Sequence, residues 1–216
     1  LRAQGFKNTF HSPCVFDPQY QNTKIIPAPK MIHPLVFAGT VLDEKVIESL
    51  KSKFSLDIVQ ILSKIKKRRI PGKYQDYVSE LSEEGIDYRH SEFESICHYN
   101  ILEQKYLLRM ELFEATRPLE LHFYGQGNYI PGLNSNIFRH QNLNQLSKLP
   151  RLYRSAKIQL SVELLPSSTH QRLFETSACG GAFLAEDKID IKKDFESAII
   201  WSDLADLKLK AAALLA

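Results

Sequence analysis

Residues 170–181, HQRLFETSACGG, place an arginine and a glutamate three positions apart on a short predicted helix, Arg172 and Glu175. Side chains at that spacing share one helix face. A helix N-terminus offers unpaired amide N–H groups and the positive end of a dipole, so it suits an anion. Arg172 in the first turn adds a cation whose fork of donors matches a phosphate. Glu175, one turn further on, would repel phosphates but can accept hydrogen bonds from both hydroxyls of a ribose. The pair therefore reads as a nucleotide-diphosphate site, to which His170 can add a donor. The competing reading is a surface ion pair worth about 0.3 kcal/mol on a well-bounded helix.

The boundaries of that helix are written in its flanks. Ser168 and Gln171 have capping-box spacing, which puts the start near residue 169, and Gly180 stands where a C-terminal turn favours positive φ. Directly before it, KIQLSVEL (157–164) reads as a strand, so the helix start falls at a strand's C-terminal end. Ligands of open α/β sheets bind there.

The remaining elements place this unit in a larger frame. Residues 1–34 carry five prolines and read as an extended arm or linker from a preceding domain. HPLVFAGT (33–40) has the apolar run and terminal glycine of a buried parallel strand, with Asp43 as the next helix cap. From 43 to 117 the periodicity is helical. Val46, Ile47, Leu50 and Phe54 recur at helical spacing, followed by Ile58, Ile61, Leu62 and Ile65 up to the stop at IPG (70–72). A long helix then runs from a capping box at Ser91 and Glu94 through Ile96, Ile101, Leu108 and Leu112 toward Pro118. Beyond it strands and helices alternate: strands in 119–127, 136–140, 182–186 and 197–201, helices in 149–156 and from Asp203 onward. This alternation predicts an α/β fold: a Rossmann-like parallel sheet with helices on both faces, over 35–216, and a helical insertion at 43–117.

Composition narrows the function classes. A 216-residue chain with 44% hydrophobic and 25% charged residues is globular, and its net charge of +3 gives no push toward nucleic acid. The basic run KIKKRRIPGK (64–73) lacks interleaved aromatics and reads as a solvated helix end. Three cysteines without metal-like spacing fit a reducing, cytoplasmic setting, and no apolar run reaches the length of a membrane span. No cluster has metal-ligand spacing, and neither a cofactor nor a metal is expected. His98 and His122 lie among apolar neighbours as structural residues. The chain begins with Leu1 and is expected to be part of something longer.

Four stretches, in order, resemble the C-terminal, donor-binding half of GT-B-fold glycosyltransferases, in particular the bacterial group related to spore-maturation proteins. They are Val36–Thr40, Phe123–Gly125, Leu149–Leu160 and, most specifically, RLFETSACGG at Arg172–Gly181. The resemblance implies a metal-independent enzyme that transfers a sugar from a nucleotide-diphosphate sugar, a UDP-sugar for instance, to an acceptor held by a preceding domain. It implies that Glu175 holds the ribose and that Ser168, Thr169, His170, Gln171 and Arg172 hold the diphosphate. The strand with Phe138 and Arg139 would flank the base, and the turns Gly39–Thr40 and Gly125–Gln126 would border the crevice. Two features depart from the family pattern: Ser167 stands where many retaining members have a second glutamate, and VLDEK after Thr40 lacks the usual basic residue. They keep open the alternative of a nucleotide-binding or interaction domain without turnover.

Overall fold

The computed structural model describes residues 33–73, 75–125, 137–140, 145–162, 170–196 and 198–216; at 137, 139, 140 and 145–147 it describes the backbone alone. Of the arm expected at 1–34, residues 1–32 lie outside them, as do Gln126, Ser167, Ser168 and Thr169, while His33 and Pro34 belong to the first strand instead.

Six strands form one parallel sheet: β1 (His33–Ala38), β2 (Leu121–Tyr124), β3 (Ile137–His140), β4 (Ala156–Ser161), β5 (Phe183–Glu186) and β6 (Ile199–Trp201). Their order is β3-β2-β1-β4-β5-β6, with every neighbouring pair parallel. This is the doubly wound order, and its direction reverses between β1 and β4. The eight helices among the described residues are α1 (Glu44–Lys51), α2 (Leu56–Lys67), α3 (Tyr77–Glu83), α4 (Phe93–Thr116), α5 (Gln145–Ser155), α6 (Gln171–Ala178), α7 (Ile189–Asp194) and α8 (Leu204–Leu215). The predicted α/β class and the helical insertion between the first two strands are both present.

Alternation along the strands builds three layers, because successive side chains point to opposite faces. Leu35, Phe37, Leu121, Phe123, Ile158 and Leu160 pack on one face against Leu108, Leu112 and Phe113 of α4 and Leu207 and Ala211 of α8. On the other face, Val36 and Ala38 meet Leu149 and Leu152 of α5. Phe183 and Ala185 meet Leu173 of α6 and Ile191 of α7 on that same side. The helices of the insertion enclose a core of their own around Ile58, Leu62, Ile65, Leu81, Ile96 and Tyr99.

Several local expectations need correction. Val46 and Ile101, counted in apolar stripes, are 46% and 55% exposed. His98 is exposed rather than packed. The box expected at Ser91 and Glu94 does not cap α4, whose N-cap is Glu92 without a side-chain bond. There the chain is turned by His90, whose Nδ1 accepts the Glu92 amide at 3.2 Å while its carbonyl accepts the Phe93 amide. The short helix α3 falls within the stretch expected to be helical, whereas α7 was not expected.

The basic run is bound to acids of the insertion. Lys64 pairs with Glu84 at 2.7 Å, Lys66 with Glu103 at 2.8 Å, and Arg68 with Glu80 at 3.2 Å. Arg69 grips Glu111 of α4 through both guanidinium nitrogens, and Glu111 Oε2 also accepts the Gly72 amide at 2.8 Å. These contacts hold the end of α2 and its turn against α3 and α4.

At the C-terminal edge of the sheet, β1 and β2 converge more closely than side chains allow. The Gly39 amide donates to the Tyr124 carbonyl at 2.9 Å, and a Cβ on Gly125 would lie 1.6 Å from the Gly39 carbonyl oxygen. Gly125→Ala is therefore expected to destabilise by roughly 3 kcal/mol or more, since the obstacle is backbone. Gly85→Ala, at φ 84° with nothing within 4 Å, should cost only the left-handed backbone penalty of about 1–2 kcal/mol. Urea unfolding midpoints of the two variants check the contrast.

Candidate functional site

The convergence of β1 and β2 leaves a cleft at the carboxyl ends of the strands, beside the reversal between β1 and β4. Its volume is about 190 Å³, and its walls are Ala38, Gly39 and Thr40 after β1, Tyr124 and Gly125 after β2, Leu149 of α5, and His170 and Arg172 at the start of α6. Lys105 and Arg109 of α4 close it from the insertion side. Sequence reasoning thus placed Gly39, Thr40, Gly125, His170 and Arg172 in one region, and the fold brings those five together.

The first turn of α6 is built differently from the expected box. The helix begins at Gln171, and its N-cap is His170, whose Nδ1 accepts the Arg172 amide at 3.0 Å. An accepting Nδ1 carries no proton, which leaves Nε2 as the protonated, donating nitrogen. Gln171 does not reach back to cap; its Nε2 donates to Glu175 Oε1 at 2.9 Å. At the other end Gly180 takes φ 75°, as expected for the residue that turns the chain out of the helix.

Arg172 and Glu175 do not form the surface pair of the competing reading. Among the described residues no ion pair joins them or engages the Arg172 guanidinium. Arg172 projects into the cleft, where its Nη1 would be 3.9 Å from a Cβ on Gly39. Glu175 is buried, 9% exposed, and turns toward α5, accepting the Tyr153 hydroxyl at 3.1 Å. It is not among the residues that line the cleft.

Two cations came from outside the motif. Lys105 and Arg109 sit one turn apart on α4, so both face the cleft. The Arg109 guanidinium donates to the Thr40 carbonyl and stands 5.8 Å from the centroid of the Phe37 ring. It thereby fixes the turn after β1. Two cations at i and i+4 on one helix were the available sequence signal. Their direction is set by the burial of α4 on both sides.

Tyr124 lines the rim. Burial pushes its hydroxyl pKa up, which keeps it protonated, and it is hydrogen-bonded to His33 Nε2 at 2.6 Å. His122 is structural, as expected: its ring lies 3.9 Å from His33 and 4.9 Å from Phe138, and its Nε2 meets Glu120 at 2.8 Å. Phe138, expected beside a base, stacks on His122 and is 44% exposed. Arg139 is seen only as backbone, paired in register with Phe123. Among the described residues no group of three or more His, Cys, Asp or Glu could hold a metal ion, and no helix is long and apolar enough to cross a membrane.

Fold and site together define an α/β protein with a cleft lined by Lys105, Arg109, His170 and Arg172 at the switch point of a doubly wound sheet. Residues 109–216 match the sequence model of the family described as glycosyl transferase-like. The match spans half of the chain, and the chain belongs to that family. It starts at Arg109 itself and contains β2 to β6 with α5 to α8, while β1 and most of the insertion precede it. No curated protein and no solved structure matches the chain.

The His170 cap is testable by stability. His170→Ala should lose about 1 kcal/mol, whereas His170→Asn, which can still accept the Arg172 amide, should lose markedly less. Urea denaturation of both variants distinguishes a capping histidine from one that merely lines the cleft.

Proposed function

We propose that the protein is the donor-binding half of a GT-B-type glycosyltransferase of the spore-maturation-related group, acting on a nucleotide-diphosphate sugar. The observation that carries this reading is the convergence of Lys105, Arg109, His170 and Arg172, together with the N-terminus of α6, on one cleft bordered by Gly39, Thr40 and Gly125. Three cations and a ring N–H donor suit a diphosphate, and the two glycines let it approach the backbone.

Chemically, transfer breaks the bond between the sugar's anomeric carbon and the diphosphate, so negative charge grows on the departing nucleotide diphosphate. Fixed donors aimed at that charge lower the barrier. Arg172 and Lys105 supply cations from opposite sides, His170 supplies its Nε2 proton as a hydrogen bond, and the α6 amides supply partial positive charge. Neutralisation is assigned to these groups rather than to a metal ion. Glu175 is assigned to the ribose hydroxyls, one helical turn from the diphosphate. The acceptor and the residue that activates it are assigned to a domain preceding this one.

Thermal unfolding with UDP, GDP, ADP, CDP and dTDP tests the reading. A nucleotide at one hundred times its dissociation constant should add about 2.7 kcal/mol, raising Tm by several degrees. Arg172→Ala should weaken that nucleotide by about 1–3 kcal/mol, and Lys105→Ala should act in the same direction. A chain that responds to none of them, or an Arg172→Ala variant with unchanged affinity, counts against the site. Donor hydrolysis or transfer by an N-terminally extended chain, lost in Glu175→Ala, favours an enzyme; binding without turnover favours a nucleotide-binding domain.

A further inference from the structure

The carboxylate of Glu175 is held before any ligand arrives. Tyr153 of α5 is 1% exposed, and its hydroxyl donates to Glu175 Oε2 at 3.1 Å. Gln171 Nε2 donates to Oε1 at 2.9 Å. Each carboxylate oxygen thus takes one of these donors and keeps acceptor capacity for another. A pair of oxygens so arranged is complementary to two adjacent hydroxyl donors.

The backbone at the end of α6 holds Tyr153 in turn. Gly181 packs so closely on α5 that a Cβ there would lie 2.5 Å from the Tyr153 carbonyl oxygen and 3.0 Å from Thr176 Cγ2. Gly180 makes that approach possible by turning the chain at φ 75°. The glycine pair therefore seats Tyr153 against α6, and the Tyr153 side chain seats Glu175. A glutamate left alone would spread over its rotamers and lose freedom on meeting a ligand; one anchored by a rigid phenol has lost it already.

We propose that Tyr153 is a positioning residue that aims the Glu175 carboxylate at a vicinal diol, and that it sets the site's preference for ribose over deoxyribose. The proposal rests on the assignment of Glu175 to the ribose made above. Tyr153 touches no ligand itself. It acts through the carboxylate, so it should govern discrimination at the sugar and leave the diphosphate contacts alone.

The test is equilibrium binding of the chain and its Tyr153→Phe variant to UDP, GDP, ADP and CDP, to their 2′-deoxy counterparts and to inorganic pyrophosphate, with Tm recorded for each. The wild type should bind its preferred ribonucleotide roughly tenfold or more tighter than the 2′-deoxy form, the size of a hydrogen bond to a charged group. Tyr153→Phe keeps the ring in the core and should bring that ratio within about threefold, with pyrophosphate affinity unchanged. In a double-mutant cycle, Tyr153→Phe should cost no further selectivity once Glu175→Gln is present, because the two groups act as one unit. A variant that keeps the wild-type ratio while its Tm falls would show a tyrosine that only packs; the proposal then fails and the nucleotide site stands. A wild type that does not discriminate ribose from deoxyribose also overturns it. Failure of the wild type to bind any nucleotide overturns the nucleotide site and this proposal together.

Discussion

The structure depends on burying both sides of α4. On one side Leu108, Leu112 and Phe113 close the core over the sheet; on the other Ile96, Tyr99 and Tyr106 close the core of the insertion. A helix buried on two sides has few directions left for its charged side chains. Glu103 and Glu111 meet Lys66 and Arg69 of the insertion, and Lys105 and Arg109 meet the cleft. Burial of a cation is costly unless it finds an acceptor, and the Thr40 carbonyl and Phe37 ring supply the surroundings that hold Arg109. The insertion is thus part of how the cleft obtains its charge.

The sheet contributes the opening itself. Strand order reverses between β1 and β4, so their connections leave to opposite faces and a crevice remains at the carboxyl ends. Two glycines let the β1 and β2 turns touch through their backbones, which keeps side chains out of the crevice floor. The start of α6 then brings its amides and Arg172 to the third side. Each part is ordinary for a parallel sheet; their chemistry comes from which side chains are admitted and which are excluded.

Much of this was legible in the chain. The apolar runs of β1 and β4, the period of α2 and α4, and Gly180 at its positive φ each follow from local patterns, because burial on a sheet face or helix stripe leaves a period in the sequence. Helix starts were less legible. Serine followed by an acceptor three residues later pointed to boxes at 91 and 168, whereas histidine takes the local bonds before α4 and at α6, through His90 and His170. Histidine caps carry little sequence signal, since the same residue serves many other roles.

By itself, the sequence determined the fold class, the helical insertion and the segment carrying Arg172 and Glu175, since these rest on periodicity and spacing within a few turns. Tertiary structure alone decided that Arg172 faces a cleft while Glu175 turns to Tyr153, that Lys105 and Arg109 face the same cleft across 66 and 62 intervening positions from Arg172, and that Gly181 seats α5. The physical reason is that these contacts join elements distant along the chain. Their partners are chosen by how helices dock on the sheet, and no local pattern records which residues that docking brings together.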